Sequence, residues 1–267
     1  AGEPAWPQPG NRKHARIQYT LQGKRKPDVS QVATFDTDTW DWKRRRGNKP
    51  NPGLVIYAKA DGGFSVWDPA KNYWKGAVPE DATAPTEYVE SYNFDQNALW
   101  FGLMNGPSVL CNGLIRDWVA WQRNPESSYF STLCEVLKVL SGGDGEEIRP
   151  GNPIRLSPRD PREYPSLVVP YGQIPIVHAS AGAKRIIGLA YLLVWAWYEH
   201  VNACESRGDA VSQRIVLLID ELEAHLHPKW QRLILPALLD VVKKLSESAS
   251  IQLIAATHAP LLLASVE

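Results

Sequence analysis

Residues 215–221 read Ile-Val-Leu-Leu-Ile-Asp-Glu, and this stretch decides the fold. Five consecutive aliphatic residues are typical of a parallel strand that is covered on both faces of a sheet. The run ends abruptly in two carboxylates, Asp220 and Glu221. The stretch therefore predicts a buried strand with an acidic pair at its carboxyl end.

A helix and a second strand follow this run. Apolar residues recur at helical spacing from about Pro228, and proline suits the first turn of a helix. Residues 251–256 are again mostly aliphatic and precede His258. Strand, helix and strand in this order predict two parallel strands joined by a right-handed crossover, with their carboxyl ends at one edge. Asp220, Glu221 and His258 are expected to converge there, where open α/β sheets bind ligands.

The acidic pair favours magnesium chemistry. Carboxylates at a buried strand end are costly unless something cationic or protic satisfies them, and Mg²⁺ prefers oxygen ligands. In this interpretation Asp220 holds a metal-bound water, Glu221 orients or deprotonates an attacking water, and His258 contacts the departing phosphoryl group. The alternative is a capped loop beside a satisfied histidine. The aliphatic run before the pair and the polar end of the next strand favour the magnesium interpretation.

Four segments of this region resemble motifs of one family. Residues 217–221 resemble a Walker B segment, and residues 223–228, Glu-Ala-His-Leu-His-Pro, resemble the loop that follows it. Residues 256–260, Ala-Thr-His-Ala-Pro, resemble a switch-histidine segment, and residues 179–185, Ala-Ser-Ala-Gly-Ala-Lys-Arg, resemble a diverged ABC signature. Their order over about residues 175–265 is similar to that of ABC-type ATPases of the RecF, SMC and OLD-like kind, within the AAA family.

The resemblance implies an α/β, ABC-ATPase-like fold. It implies an antiparallel β subdomain at residues 1–90, a helical subdomain at residues 91–149, and the signature and Walker B half of the ATPase core at residues 150–267. It also implies ATP and Mg²⁺ as ligands. The candidate site residues are Glu221 and His258 for catalysis, Asp220 for the metal, and Ser180, Gly182, Lys184 and Gln96 for the nucleotide.

The signature-like segment also has a physical basis of its own. Ser180 and Gly182 precede an apolar helix, whose N-terminal amides and dipole favour phosphate, although an ordinary helix start is the alternative. Ala181 and Ala183 depart from the usual Leu-Ser-Gly-Gly pattern. The resemblance implies a homodimer in which the signature of one subunit completes the nucleotide site of another. It further implies a role in DNA repair or bacterial defence, with DNA or a nuclease as partner.

Two features leave alternatives open. His225 and His227 have the spacing of a metal pair, but helix capping or an interface contact is favoured over zinc.

No Gly-x-x-x-x-Gly-Lys-Ser/Thr occurs in the sequence, and Met104 is the only methionine. The chain is therefore expected to be part of a longer polypeptide that supplies the phosphate-binding loop, and to be inactive by itself.

Two other functions compete with an ATPase. One is a degenerate, non-catalytic module that binds DNA or a partner protein through its basic, tryptophan-rich N-terminal half. Its basic run, Lys43 to Arg46, either contacts phosphates or, as is favoured, forms a solvated hairpin tip. The other is a magnesium-dependent nuclease that uses Asp220 and Glu221, which is disfavoured because no further acidic cluster accompanies them.

The N-terminal third predicts antiparallel strands. Residues 54–60 and 64–67 flank Asp-Gly-Gly, a hairpin signal because glycine supplies the positive φ of a tight turn. Alternating apolar residues at 17–21 predict a further strand. Residues 15 to about 75 are therefore expected to form an antiparallel sheet.

The composition excludes several classes of protein. Lys plus Arg and Asp plus Glu both number 29, so a basic field over the whole protein is excluded, although a local patch is not. The longest apolar run, residues 186–198, falls short of the roughly 20 residues that span a bilayer, which predicts a core helix and no membrane. Three cysteines without metal spacing fit a reducing cytoplasm.

Helical spacing predicts two further helices at residues 112–122 and 129–140. The 11 tryptophans are expected to serve packing.

Overall fold

The computed structural model describes residues 16–21, 29–36, 41–43, 51–72, 91–142, 147–221, 223 and 226–263. The chain divides into two compact units, Ala1–Asn51 and Pro52–Glu267.

The first unit contains a three-stranded antiparallel sheet. Its strands are β1 (Arg16–Leu21), β2 (Val29–Asp36) and β3 (Asp41–Lys43), in that spatial order. The predicted strand at residues 17–21 is confirmed as β1. Of the basic run, Lys43 ends β3, and residues 44–46 lie outside the described residues.

The second unit alternates strands and helices. In chain order it contains β4 (Leu54–Ala58), β5 (Phe64–Trp67), α1 (Pro69–Asn72), β6 (Tyr92–Phe94), α2 (Gln96–Phe101), β7 (Leu103–Asn105), β8 (Ser108–Cys111), α3 (Leu114–Arg123), α4 (Ser128–Leu140), β9 (Arg149–Ile154), β10 (Tyr164–Val169), β11 (Gly172–Pro175), α5 (Ala181–Arg207), β12 (Arg214–Asp220), α6 (Pro228–Leu245), β13 (Ser250–Ala256) and α7 (Pro260–Leu263). The predicted α/β class is confirmed, as are the two helices now labelled α3 and α4.

A mixed five-stranded sheet organises this unit, in the order β13-β12-β4-β5-β6. β12 and β13 are parallel, as predicted, with Asp220 opposite Ala256. β4 and β5 form the predicted antiparallel hairpin. The expectation of an antiparallel sheet over residues 15 to about 75 is wrong, because β4 also pairs in parallel with β12, with Ile215 opposite Leu54. The hairpin is thereby part of the sheet that ends in the acidic pair.

Helix α5 is the centre of the core. Its 27 residues lie between the N-cap Ser180 and the C-cap Gly208, whose φ of 67° is the left-handed conformation of a helix C-cap. The predicted core helix at residues 186–198 lies within it and is almost entirely buried, which explains why it is apolar on all sides. Helix α4 packs against both α5 and α6. Among the described residues, no helix is long and apolar enough to cross a membrane.

Tryptophan side chains fill the seams around α5, as expected. Trp118 is fully buried and Trp195 is 5% exposed. Trp195 makes edge-to-face contacts with Tyr92 and Phe94, at centroid distances of 5.6 and 5.3 Å. These contacts join α5 to the β6 edge of the central sheet.

Candidate functional site

The acidic pair lies where β12 ends. Asp220 is half-buried, and Glu221, the next residue, is exposed. Glu221 has a φ of 47° and is the one described non-glycine residue with positive φ. Its N–H donates to the Ala256 carbonyl at the end of β13, at 3.0 Å. Such a backbone conformation is uncommon outside glycine and is found preferentially at functional sites.

Glu223 ties this loop to the histidine segment. Its Oε1 accepts the backbone N–H of His258 at 2.9 Å. Burial by itself would raise the pKa of Glu223, but hydrogen bonds from its own backbone, the Thr257 hydroxyl and the N–H groups of His258 and Ala259 lower that pKa on balance. Glu223 therefore stays ionised and fixes the two loops to each other.

The predicted convergence at one sheet edge is what the backbone shows. Asp220 and Glu221 follow β12, and His258 follows the neighbouring parallel strand by two residues. His258 bonds to Glu223 through its backbone N–H, and its imidazole is exposed. Two carboxylates and one imidazole are thus available to a ligand at this edge.

The start of α5 carries the signature-like residues. Ser180 is the N-cap of the helix, and its Oγ accepts the N–H of Ala183 at 3.2 Å. Its side chain is nevertheless exposed, whereas Gly182 is buried and Lys184 is half-buried. Ser180 is thus an ordinary N-cap that also places the helix N-terminus at the surface.

Gln96 and Lys184 lie on the same small cavity, of about 200 Å³, between the β4–β5 turn, α2 and α5. The amide Nε2 of Gln96 donates to the Asp61 carbonyl at 3.0 Å. Gly62 in that turn has a φ of +84°, and a Cβ built on it would lie 2.6 Å from Gln96 Nε2. Glycine is thus favoured by the positive φ of the turn, and a Cβ at this position would displace the flexible end of Gln96.

Arg185 connects this cavity to the acidic loop, and sequence reasoning did not single it out. Its Nη2 donates to the Lys59 carbonyl at 3.0 Å. Burial lowers the pKa of Arg185, while the nearby carboxylates of Asp61, Glu221 and Glu223 raise it. The guanidinium therefore lies within the electrostatic field of the acidic loop. Glu223 was also missed as a site residue; its one sequence signal is a carboxylate two residues beyond the pair.

The oxygen donors at this edge fit Mg²⁺ shared with a phosphate. Among the described residues, no group of three or more His, Cys, Asp and Glu side chains could hold a metal alone. Mg²⁺ is usually bound by one or two carboxylates together with water and phosphate, so a complete cage is not needed. Asp220 supplies one half-buried carboxylate, and Oε2 of Glu223 is buried and accepts no hydrogen bond from the part of the chain that the structure describes.

His227 is a helix cap. Its Nδ1 accepts the N–H of Lys229 at 3.3 Å, at the N-terminus of α6. Helix capping, one of the two roles favoured for His227, is confirmed, while His225 lies outside the described residues.

Comparison with known families supports the resemblance. Residues 171–264 match the family described as "AAA domain, putative AbiEii toxin, Type IV TA system". This range contains the signature-like, Walker B-like and switch-histidine segments, and the match confirms the similarity to an ABC-type AAA ATPase.

Three solved structures are similar to part of the chain. One is the Smc head bound to the C-terminal winged-helix domain of ScpA, at 20% identity over 52% of this chain and 36% of that chain, with a TM-score of 0.29. A second is the Pyrococcus furiosus Smc head with an extended coiled coil, bound to the C-terminal domain of ScpA, at 17% identity over 52% and 30%, TM-score 0.29. A third is the Thermotoga maritima SMC head, at 16% identity over 56% and 44%, TM-score 0.30. The chain covers less than half the length of each of these structures.

Proposed function

We propose that these residues form part of an ATP-binding and ATP-hydrolysing site in an ABC-type ATPase. The observation that carries this proposal is a pair of hydrogen bonds at the carboxyl ends of β12 and β13. Glu221 N–H bonds to Ala256 at the end of β13, and the Glu223 carboxylate accepts the N–H of His258. These bonds hold an acidic pair and a histidine side by side, and the family match over residues 171–264 covers the same segments.

Each side chain has a role that suits its position. A bound Mg²⁺ ion would supply positive charge against the phosphate oxygens. Asp220, half-buried at the strand end, binds that ion or its water. Glu221, exposed on a positive-φ residue, orients the attacking water and accepts its proton. His258 contacts the phosphoryl group that is transferred, where positioning and electrostatics dominate the chemistry.

The side of the sheet formed by β13 can accommodate the strand that carries the phosphate-binding loop. Among the described strands, β13 pairs only with β12, and its Ile254 is 50% exposed. β12, by contrast, pairs with a strand on each side, β13 and β4. We place a further parallel strand, with a phosphate-binding loop at its carboxyl end, against β13; its residues lie outside the described ones. That loop would then adjoin the edge that holds Asp220 and His258.

The exposed N-terminus of α5 supports dimer formation around the nucleotide. Ser180 and Ala181, at the start of a 27-residue helix, are exposed, and a helix N-terminus at the surface favours a phosphate of a second copy. We place the protein in the cytoplasm, since Cys111, Cys134 and Cys204 are all free thiols. A role in DNA repair or bacterial defence, with a nuclease partner, is proposed by analogy alone.

The metal role of Asp220 is tested by Asp220→Asn in a polypeptide that carries these residues together with a phosphate-binding loop. The variant should lose both Mg²⁺-dependent ATP binding and turnover, because the neutral amide binds the cation poorly. A nucleotide titration with and without Mg²⁺ measures the effect. Asp240→Asn, an exposed carboxylate on α6, is the matched control. Unchanged Mg²⁺ dependence in Asp220→Asn would remove the metal role.

A further inference from the structure

A groove rich in arginine lies far along the chain from the acidic pair. It has a volume of about 600 Å³ and is lined by α2, α3, the residues between β9 and β10, and the start of β10. Among the described residues that line it, Glu163 is the only carboxylate. Four cations face two anions, Glu163 in the lining and Asp160 beside Arg162, so the groove keeps an excess of two positive charges in a chain whose formal net charge is zero. Its cations, which define the arginine groove, are Arg116, Arg123, Arg155 and Arg162.

Two of the four guanidinium groups are already paired. Arg123 forms an ion pair with Glu163. Arg162 pairs with Asp160, at 2.8 Å between Nη2 and Oδ2. Arg116 and Arg155 are exposed and have no ion-pair partner within the described part of the chain. These two groups are therefore free to bind an anion, and a guanidinium fork matches phosphate oxygens in a bidentate manner.

Aromatic rings accompany the arginines. Phe101, at the end of α2, is 49% exposed, and Trp100 beside it is half-buried. Tyr164 lies under the guanidinium of Arg162, at 5.6 Å from the ring centroid. Exposed aromatic faces next to cations are what unstacked bases need, because a ring stacks on the base while the cation binds its phosphate.

We propose that the arginine groove binds single-stranded nucleic acid. Arg116 and Arg155 hold the phosphates, and bases stack on Phe101 and Trp100. An acidic peptide would use the arginines but would leave the rings without a role, and a duplex offers no unstacked base. The proposal does not depend on ATP hydrolysis. Trp100 lines both the groove and the small cavity that contains Gln96, so an occupied groove adjoins the candidate nucleotide site.

The test uses the 267-residue chain without ATP and a fluorescently labelled 12-nucleotide single strand, as DNA in one arm and RNA in the other. Fluorescence anisotropy is measured against salt concentration. Arg116→Ala with Arg155→Ala should weaken binding by about tenfold or more and reduce the slope of log K against log salt by about 1.4, since two phosphate contacts are lost. Phe101→Ala should weaken binding about tenfold and leave the slope unchanged, because stacking carries no counterion release.

Matched variants separate specific contacts from bulk charge. Lys138→Ala with Lys243→Ala removes the same charge from exposed positions on α4 and α6 and should leave affinity nearly unchanged. Arg116→Lys with Arg155→Lys keeps the charge and should retain the salt slope. Tighter binding in one arm identifies DNA or RNA as the ligand. No binding in either arm, equal losses in both double-alanine variants, or a 12-base-pair duplex bound as tightly as the single strand would overturn the proposal.

Discussion

The tie between Glu223 and the histidine segment has a stability consequence that can be measured. Glu223→Ala removes the acceptor of the His258 N–H at 2.9 Å, and with it the hydrogen bond that joins the two loops. A hydrogen bond to a charged group contributes about 1.5–3 kcal/mol when it is buried. Because Glu223 is half-buried and His258 is exposed, water can bond to the freed N–H of His258 in the variant and offset part of the lost free energy. We therefore expect the free energy of unfolding to fall by about 1–2 kcal/mol.

Denaturant unfolding followed by tryptophan fluorescence measures that loss, with Glu247→Ala as the control. Glu247 is an exposed carboxylate that forms no ion pair with the described residues, so its replacement should change stability by less than about 0.5 kcal/mol. The pH dependence gives a second check, because the pKa of Glu223 is lowered in the folded state. Its contribution is complete above the ordinary glutamate pKa of 4.5 and is lost as pH falls through the folded value. Equal stabilities of Glu223→Ala and Glu247→Ala at pH 7 would refute this account of the tie.

Two further predictions concern the turn between β4 and β5 and the cysteine thiols. Gly62→Ala should lower the free energy of unfolding by about 1–2 kcal/mol, because a Cβ is strained at a φ of +84° and displaces the Gln96 amide that bonds to the Asp61 carbonyl, whereas Gly106→Ala, at a φ of +55° in open space, should cost less in the same thermal melt. Burial raises the pKa of Cys111 to about 11 and raises that of the half-buried Cys134 to a lesser extent, so a thiol reagent at pH 8 should react first with Cys134. Cys134→Ser should abolish the fast phase and Cys111→Ser should spare it; the reverse result would contradict the assignment.

The aliphatic runs made the centre of the fold predictable. The stretch ending in Asp220 is unbroken, the stretch before His258 is mostly aliphatic, and a helix separates them, an order that strongly favours parallel strands joined by a right-handed crossover. The β4–β5 hairpin was also predictable, because its Asp-Gly-Gly turn is a signal in the local sequence. The partner of β4 was not predictable. Five apolar residues are equally suited to an antiparallel or a parallel neighbour, and the neighbour, β12, lies about 160 residues further along the chain.

The candidate site likewise has features that were predictable from the sequence and features that were not. The residues that follow each strand were found because strand ends are readable from periodicity. The contribution of Glu223 rests on backbone N–H groups 35 residues away, and that of Arg185 on a carbonyl 126 residues away. Such long-range contacts leave no trace in local spacing. The positive φ of Glu221 was hidden for a different reason, because its residue type gives no signal of a left-handed backbone.

The most direct test of ATP hydrolysis at this edge is turnover by Glu221→Gln, in a polypeptide that carries these residues together with a phosphate-binding loop. The amide keeps the shape of the side chain, cannot accept the proton of water, and removes a negative charge from the phosphate site. ATP turnover should fall by about two orders of magnitude or more, while ATP affinity stays unchanged or becomes tighter. Turnover equal to that of the wild-type protein would contradict the catalytic assignment and leave the acidic pair as a capped loop.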